Sequence, residues 1–225
     1  MLNKEIFFGI VQGRLSRSPK NKLQWFPQKV WRLEFKIAKK INIKFIELLT
    51  ERKFNPKNPI WSMKGRNELI KIAKKNKIKL YSICADYIID HSLHSDEKKE
   101  SYKHLIKLFQ AAHSLKLKVV VLPLLEKSNI TKNNFLKYVK IINSLATAAQ
   151  KVNLILCLET VLEAKYLKKF LNKINKSNVK CVFDTGNRVV FKSDLSKEIN
   201  ILGKHISNIN IKDKNKYGEN VILGE

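Results

Sequence analysis

The sequence is short of the residues that punctuate or staple a chain, with seven glycines, five prolines and three cysteines in 225 residues. So little Gly and Pro excludes collagen-like and low-complexity architectures. Cys84, Cys157 and Cys181 are far apart and odd in number, and each sits in an apolar run. Reduced, buried thiols are expected, not a disulfide framework or a zinc site. Long hydrophobic runs are missing as well, and the longest, residues 119–125, is far too short to span a bilayer. Lys4 and Glu5 precede only a brief apolar run, unlike a secretion signal. A soluble, cytoplasmic protein is the expectation. Acids are scarce, 19 against 45 Lys and Arg, which leaves a net charge of +26. Arginine is scarcer still, at six of those 45. Reading of base edges and bidentate binding of phosphate favour Arg. No basic block is interleaved with aromatics as in a single-strand groove. The charge therefore reads as a solvated Lys surface, and neither nucleic acid nor membrane is an expected partner.

What the chain does have is alternation. Short apolar runs at 6–11, 43–49, 78–84, 119–122, 154–158, 179–183 and 206–211 are separated by amphipathic stretches of helical period. Their spacing of roughly 25–40 residues is that of strand–helix–strand units in series. No Pro- or Gly-rich linker interrupts them, so one α/β domain over 1–225 with a parallel sheet is predicted. An open doubly wound sheet would be expected to carry a G-x-G-x-x-G or Walker-type loop if it bound nucleotides, and none follows any run. Polar residues instead end every run: Gln12 and Arg14, Glu47, Asp86, Glu126, Glu159, Asp184, then Asn210 and Lys212. In a barrel all strand ends share one rim, and that rim holds the site. The pattern favours a (β/α) TIM-type barrel of seven units.

Within residues 154–159 the period of two places Glu159 on the side of Ile155 and Cys157, facing the barrel mouth. Asp184 projects similarly from the next strand. Two carboxylates on neighbouring strands suit a hard divalent cation or proton transfer beside a carbonyl. Equally, each could cap a helix or pair with a nearby Lys. In 208–213 the alternation aims Asn208, Asn210 and Lys212 inward and Ile209 and Ile211 outward. An inward Lys can bind a substrate oxygen or phosphate, or form an internal ion pair. His91 and His94 follow the third strand on a loop over the rim, whereas His104 and His113 fall in helical periodicity and read as peripheral. The aromatics of 25–27 and 59–61 either wall a pocket or staple helix starts.

Taken in order, Gly9-Ile-Val-Gln-Gly-Arg-Leu-Ser16, Phe26-Pro27, Phe45-Ile-Glu47, Cys84-Ala-Asp-Tyr87, His91-Ser-Leu-His-Ser95, Leu158-Glu-Thr160, Asp184-Thr-Gly-Asn187, Ile211-Lys-Asp213 and Leu223-Gly-Glu225 resemble the xylose isomerase-like TIM barrel superfamily, also called AP endonuclease family 2. Within it the likeness is to the sugar phosphate isomerase/epimerase branch. The resemblance implies a divalent metal, Mn²⁺ or Mg²⁺, held by Glu159 and Asp184, with Glu159 also the catalytic base of an enediolate mechanism. It implies a sugar or sugar phosphate as the small-molecule partner, contacted by Gln12, Arg14, Glu47, Asp86, His91, Asn187, Asn210 and Lys212, and a homodimer. Two departures stand out. The family's His on strand 7 is Asn210 here, and the chain stops where an eighth strand with the fourth ligand is expected. An inactive barrel that still binds a carbohydrate or protein is the alternative reading, and an AP-endonuclease-like DNA enzyme ranks last.

Overall fold

The structure is a computed structural model that describes residues 8–19, 24–96, 98–189 and 194–224. The elements follow one another as β1 (Gly9–Val11), α1 (Trp31–Lys40), β2 (Phe45–Thr50), α2 (Met63–Asn76), β3 (Lys79–Ala85), α3 (Tyr87–Asp90), α4 (Lys98–Ser114), β4 (Val119–Leu124) and α5 (Phe135–Gln150). They continue with β5 (Ile155–Thr160), α6 (Ala164–Ile174), β6 (Val179–Asp184), α7 (Thr185–Val189), α8 (Leu195–Leu202) and β7 (Ile206–Asn210). A short antiparallel ladder of β8 (Asp213–Lys214) and β9 (Asn220–Val221) closes the order.

All seven long-run strands are found where the apolar runs predict them, paired in parallel in the order β1-β2-β3-β4-β5-β6-β7. Residues 6 and 7 of the first expected run lie outside the described residues. A sequential parallel order with a helical crossover between neighbours curls the sheet into a TIM-type barrel, here lacking an eighth parallel strand among the described residues. The middle strands are the most apolar. Every residue of β4 is buried, as befits a strand covered on both faces. β4 runs two residues further than its apolar pattern suggests, and Pro123 there is paired with Glu159 in register.

The helices close the outer face through regular stripes. Phe35 and Ala38 of α1, Leu105, Leu108 and Ala112 of α4, and Ile142, Leu145 and Ala149 of α5 are all buried in one continuous core. Lysines take the other faces, so the basic excess is largely a helix-surface property. The three cysteines are free and buried, as expected. Among the described residues no helix is long and apolar enough to cross a membrane.

Candidate functional site at the strand ends

The carboxyl ends of the strands bring together most of the polar residues that the sequence places there. Glu159 is the penultimate residue of β5 and is buried. Asp184 ends β6, 2% exposed, one strand over. Lys212 follows β7 and bridges them, its Nζ 2.6 Å from Asp184 Oδ2 and 4.0 Å from Glu159 Oε1. Asn187, in the first turn after β6, donates from its backbone N–H to Asp184 Oδ1 at 2.9 Å and from Nδ2 to Glu159 Oε1 at 3.4 Å. Inward alternation along β7 holds, since Ile209 and Ile211 are more than half exposed on the opposite side. Asn210 sits in register with Asp184.

The opposite wall carries two more acids. Glu47 of β2 accepts a hydrogen bond from Ser82 Oγ of β3 at 2.6 Å, and Asp86, just past β3, accepts from the Cys84 thiol at 3.1 Å. Burial pushes Glu47 up to about 7, with Ser82 opposing and the Asp86 charge adding to it. Burial likewise lifts Asp86 to about 6 against the pull of the Cys84 thiol, Arg52, Lys212 and Arg14. Glu159 reaches about 7, because burial and the like charges of Asp184, Glu47 and Asp86 outweigh Lys212. For Lys212 itself burial works downward, but Asp184 and Glu159 prevail and its pKa is raised. Carboxyls that titrate near neutrality are suited to moving protons.

Gln12 and Arg14 stand on the turn after β1, and the helix below fixes that turn. Glu34 of α1, buried, accepts from the backbone N–H groups of Gly13 and Leu15 and from Ser16 Oγ, all at 2.8–3.1 Å. Gly13 has φ +92°, and a Cβ there would lie 2.3 Å from the Trp25 carbonyl oxygen, so only glycine fits. Trp25 donates its indole N–H back to Gly13 O at 3.0 Å, which makes it a brace for this turn. Arg14 lies within electrostatic reach of Asp86 and Lys212. Gln12 is 3% exposed, and neither atom of its amide has a hydrogen-bond partner among the described residues. A buried amide so left costs about 1–3 kcal/mol, which an incoming hydroxyl or carbonyl would recover.

Other polar residues near the strand ends have aromatic or ionic partners. His91 stacks on Tyr87 at 4.1 Å between ring centroids, and Tyr87 stacks in turn on His104 at 3.9 Å. This ring stack is extended by Trp61 and Phe54 against His104. The sequence reads His104 as peripheral, and that is corrected: it is buried, and burial lowers its pKa to about 4. Helical period alone cannot tell an outward His from one folded under the loop after β2. Glu126 lies just past β4, as the sequence places it. It turns out to the rim, where Arg52 binds it and Asp90 together. Ser82, Glu34 and Thr185 were not singled out as site residues by sequence. Only Thr185 carried a signal, as part of the Asp184-Thr-Gly-Asn187 turn.

A divalent ion needs several oxygen or nitrogen donors converging on one point. Among the described residues no group of three or more His, Cys, Asp and Glu side chains can hold one. The two expected ligands, Glu159 and Asp184, have an ammonium between them instead. The described residues therefore do not fit the metal expected from the sequence.

Residues 35–225 match the family model described as xylose isomerase-like TIM barrel. Among solved structures, the xylose isomerase domain protein of Planctomyces limnophilus superposes with a TM-score of 0.70 at 14% identity, over 91% of this chain and 71% of that one. D-Psicose 3-epimerase from Clostridium cellulolyticum, solved with D-tagatose, gives 0.71 at 17% identity over 89% and 71%. A xylose isomerase-like TIM barrel protein from Mycobacterium smegmatis, solved in complex with magnesium, gives 0.67 at 14% over 86% and 71%. These likenesses are in fold. No curated protein sequence matches the chain.

Proposed function

The chain belongs to the xylose isomerase-like TIM barrel family, and from that premise we propose that it is an isomerase or epimerase of a sugar or sugar phosphate that works through an enediolate. One observation carries the reading. Glu159 is a buried carboxyl with a pKa near 7, facing an ammonium and an amide at the mouth of the barrel. A carboxyl raised by burial is a stronger base than a solvated one, so it can take the proton from the carbon beside a ketose carbonyl. The C–H electron pair then forms the enediolate double bond, and the carbonyl electrons move to oxygen. Lys212 stabilises that oxyanion as a fixed positive charge. Return of the proton by Glu159 to the neighbouring carbon, with the hydroxyl proton of the first carbon passing to the oxyanion, gives the isomer. Delivery to the original carbon from the opposite face, by Glu47 or Asp86, gives the epimer.

Arg14 and Lys212 supply the charge for an anionic substrate, and the unpartnered Gln12 amide supplies hydroxyl contacts. A small-molecule sugar is the partner that this set of groups suits. The divalent metal of the sequence-level expectation enters no step, because the donor set described does not suit one. A second reading, a barrel that binds a carbohydrate without turning it over, is favoured by Asn210 standing in place of the family's His.

The test is solvent-exchange of the proton. Ketose incubated with the protein in D₂O should gain deuterium beside the carbonyl, and Glu159→Gln should abolish the gain. Bound sugar with no exchange in the wild type would support the second reading. Exchange that survives intact in Glu159→Gln would remove Glu159 as the base.

A further inference from the structure

We propose that Lys212 is the resident cation of this site, occupying the seat between Glu159 and Asp184 that a divalent metal would otherwise take. Two buried carboxylates on adjacent strands repel each other and cannot both ionise without a positive charge between them. That charge is here supplied by the chain, at 2.6 Å from one carboxylate and 4.0 Å from the other.

The position is constructed, not the reach of a free surface lysine. Thr185 Oγ1 donates to the Lys212 carbonyl at 2.8 Å and accepts from the Lys212 N–H at 2.9 Å, which locks that backbone to the turn after β6. Gly186 makes the approach feasible, since a Cβ at 186 would lie 2.9 Å from Lys212 Cβ. A side chain at 186 would force the turn or the Lys212 segment to shift. The turn carrying Asp184 and the segment carrying Lys212 are thus shaped for each other.

The neighbouring position points the same way. Asn210, in register with Asp184, offers an amide and not an imidazole nitrogen. A transition metal would lose its preferred ligand there. An ammonium loses nothing, because it binds without fixed coordination geometry. The catalytic consequence, a lysine in place of a Lewis acid at the enediolate oxygen, rests on the proposed function; the claim about cation binding does not.

The test uses Mn²⁺ titrated calorimetrically into the full chain at neutral pH, with thermal unfolding as a second readout. Wild type should show no Mn²⁺ binding that depends on Glu159 and no shift in Tm with Mn²⁺. Lys212→Met should lower Tm, and Mn²⁺ should restore part of the loss. Adding Glu159→Gln to that variant should remove the restoration. Stoichiometric Mn²⁺ binding by wild type that Glu159→Gln abolishes would overturn the proposal, and so would a Lys212→Met protein whose Tm ignores Mn²⁺. Should Lys212→Met not fold, the titration of wild type against Glu159→Gln decides alone. Absence of Mn²⁺ binding together with absence of deuterium exchange would sink the enzyme reading while leaving the cation assignment standing.

Discussion

The two walls of the mouth hold their acids by different means. On the β2–β3 wall, Glu47 and Asp86 are met by neutral donors, a Ser hydroxyl and a Cys thiol. On the β5–β7 wall, Glu159 and Asp184 share an ammonium. A neutral donor offsets only part of the cost of burying a charge, so Glu47 and Asp86 rise to about 7 and about 6. An ammonium at 2.6 Å instead supplies a full opposite charge to Asp184. Glu47 and Asp86 are thus raised by burial against neutral donors, whereas the second wall sets a lysine charge beside its acids. Glu159 has a foot in both, since at 4.0 Å the ammonium only partly counters its burial. That is the position a base beside a developing oxyanion needs.

The largest expected effect separates the walls by activity. Glu159→Gln should cost about 10³-fold in kcat, the range for losing a positioned general base, while Glu47→Gln should cost about tenfold. Equal losses, measured as ketose turnover, would show that the walls do not divide the work in this way. Next comes the loss of one partner on each wall. Lys212→Met leaves two buried acids facing each other and should destabilise the fold by about 2–3 kcal/mol, below the full cost for a buried pair because the lysine keeps some exposure. Ser82→Ala removes one neutral hydrogen bond and should cost about 1 kcal/mol. Urea unfolding of both variants checks the order, and a larger loss for Ser82→Ala would reverse the comparison.

Half of this comparison was legible in the sequence. Strand ends, the inward turn of Glu159 and the alternation of Asn210 and Lys212 follow from a period of two, a local property that survives folding. The seven units follow from apolar spacing for the same reason. What was hidden depends on contacts between distant segments. Ser82 lies inside an apolar run and reads as core until β2 sets Glu47 opposite it. Glu34 reads as an ordinary acid in the first turn of α1, yet it organises the turn that carries Gln12 and Arg14. His104 shows the converse. Its helical phase suggested the periphery, but Phe54 and Trp61 cover it from another loop.

The neutral-donor wall should also show a pH response of its own. A carboxyl whose folded pKa lies above its unfolded value stabilises the fold fully below the unfolded value, and that contribution is lost as pH rises through the folded one. For Glu47 the window runs from its ordinary value near 4.5 up to about 7. Stability should therefore fall across this window. Glu47 keeps some surface open to the mouth, so its share is about 2 kcal/mol at most. Glu47→Gln mimics the protonated acid and should flatten the fall in Tm between acid and neutral pH. A wild-type-like slope in that variant would place the titration elsewhere.

The smallest effect concerns the rim, where a third kind of partnership can be compared with the other two. Arg52 binds Asp90 and Glu126 with four hydrogen bonds of 2.5–2.9 Å. The geometry is as tight as that of Lys212, but the arginine is 43% exposed and solvent competes for it. Exposed pairs contribute little, so Arg52→Ala should cost under about 1 kcal/mol, and less at high salt. The same substitution reaches into the mouth, because the Arg52 charge helps hold Asp86 down against its burial. Removing it should shift the Asp86 titration upward, readable by carboxyl ¹³C NMR. A stability loss as large as that of Lys212→Met would mean that exposure does not distinguish the rim from the charged wall. An unmoved Asp86 would mean that the rim and the neutral wall are electrically independent.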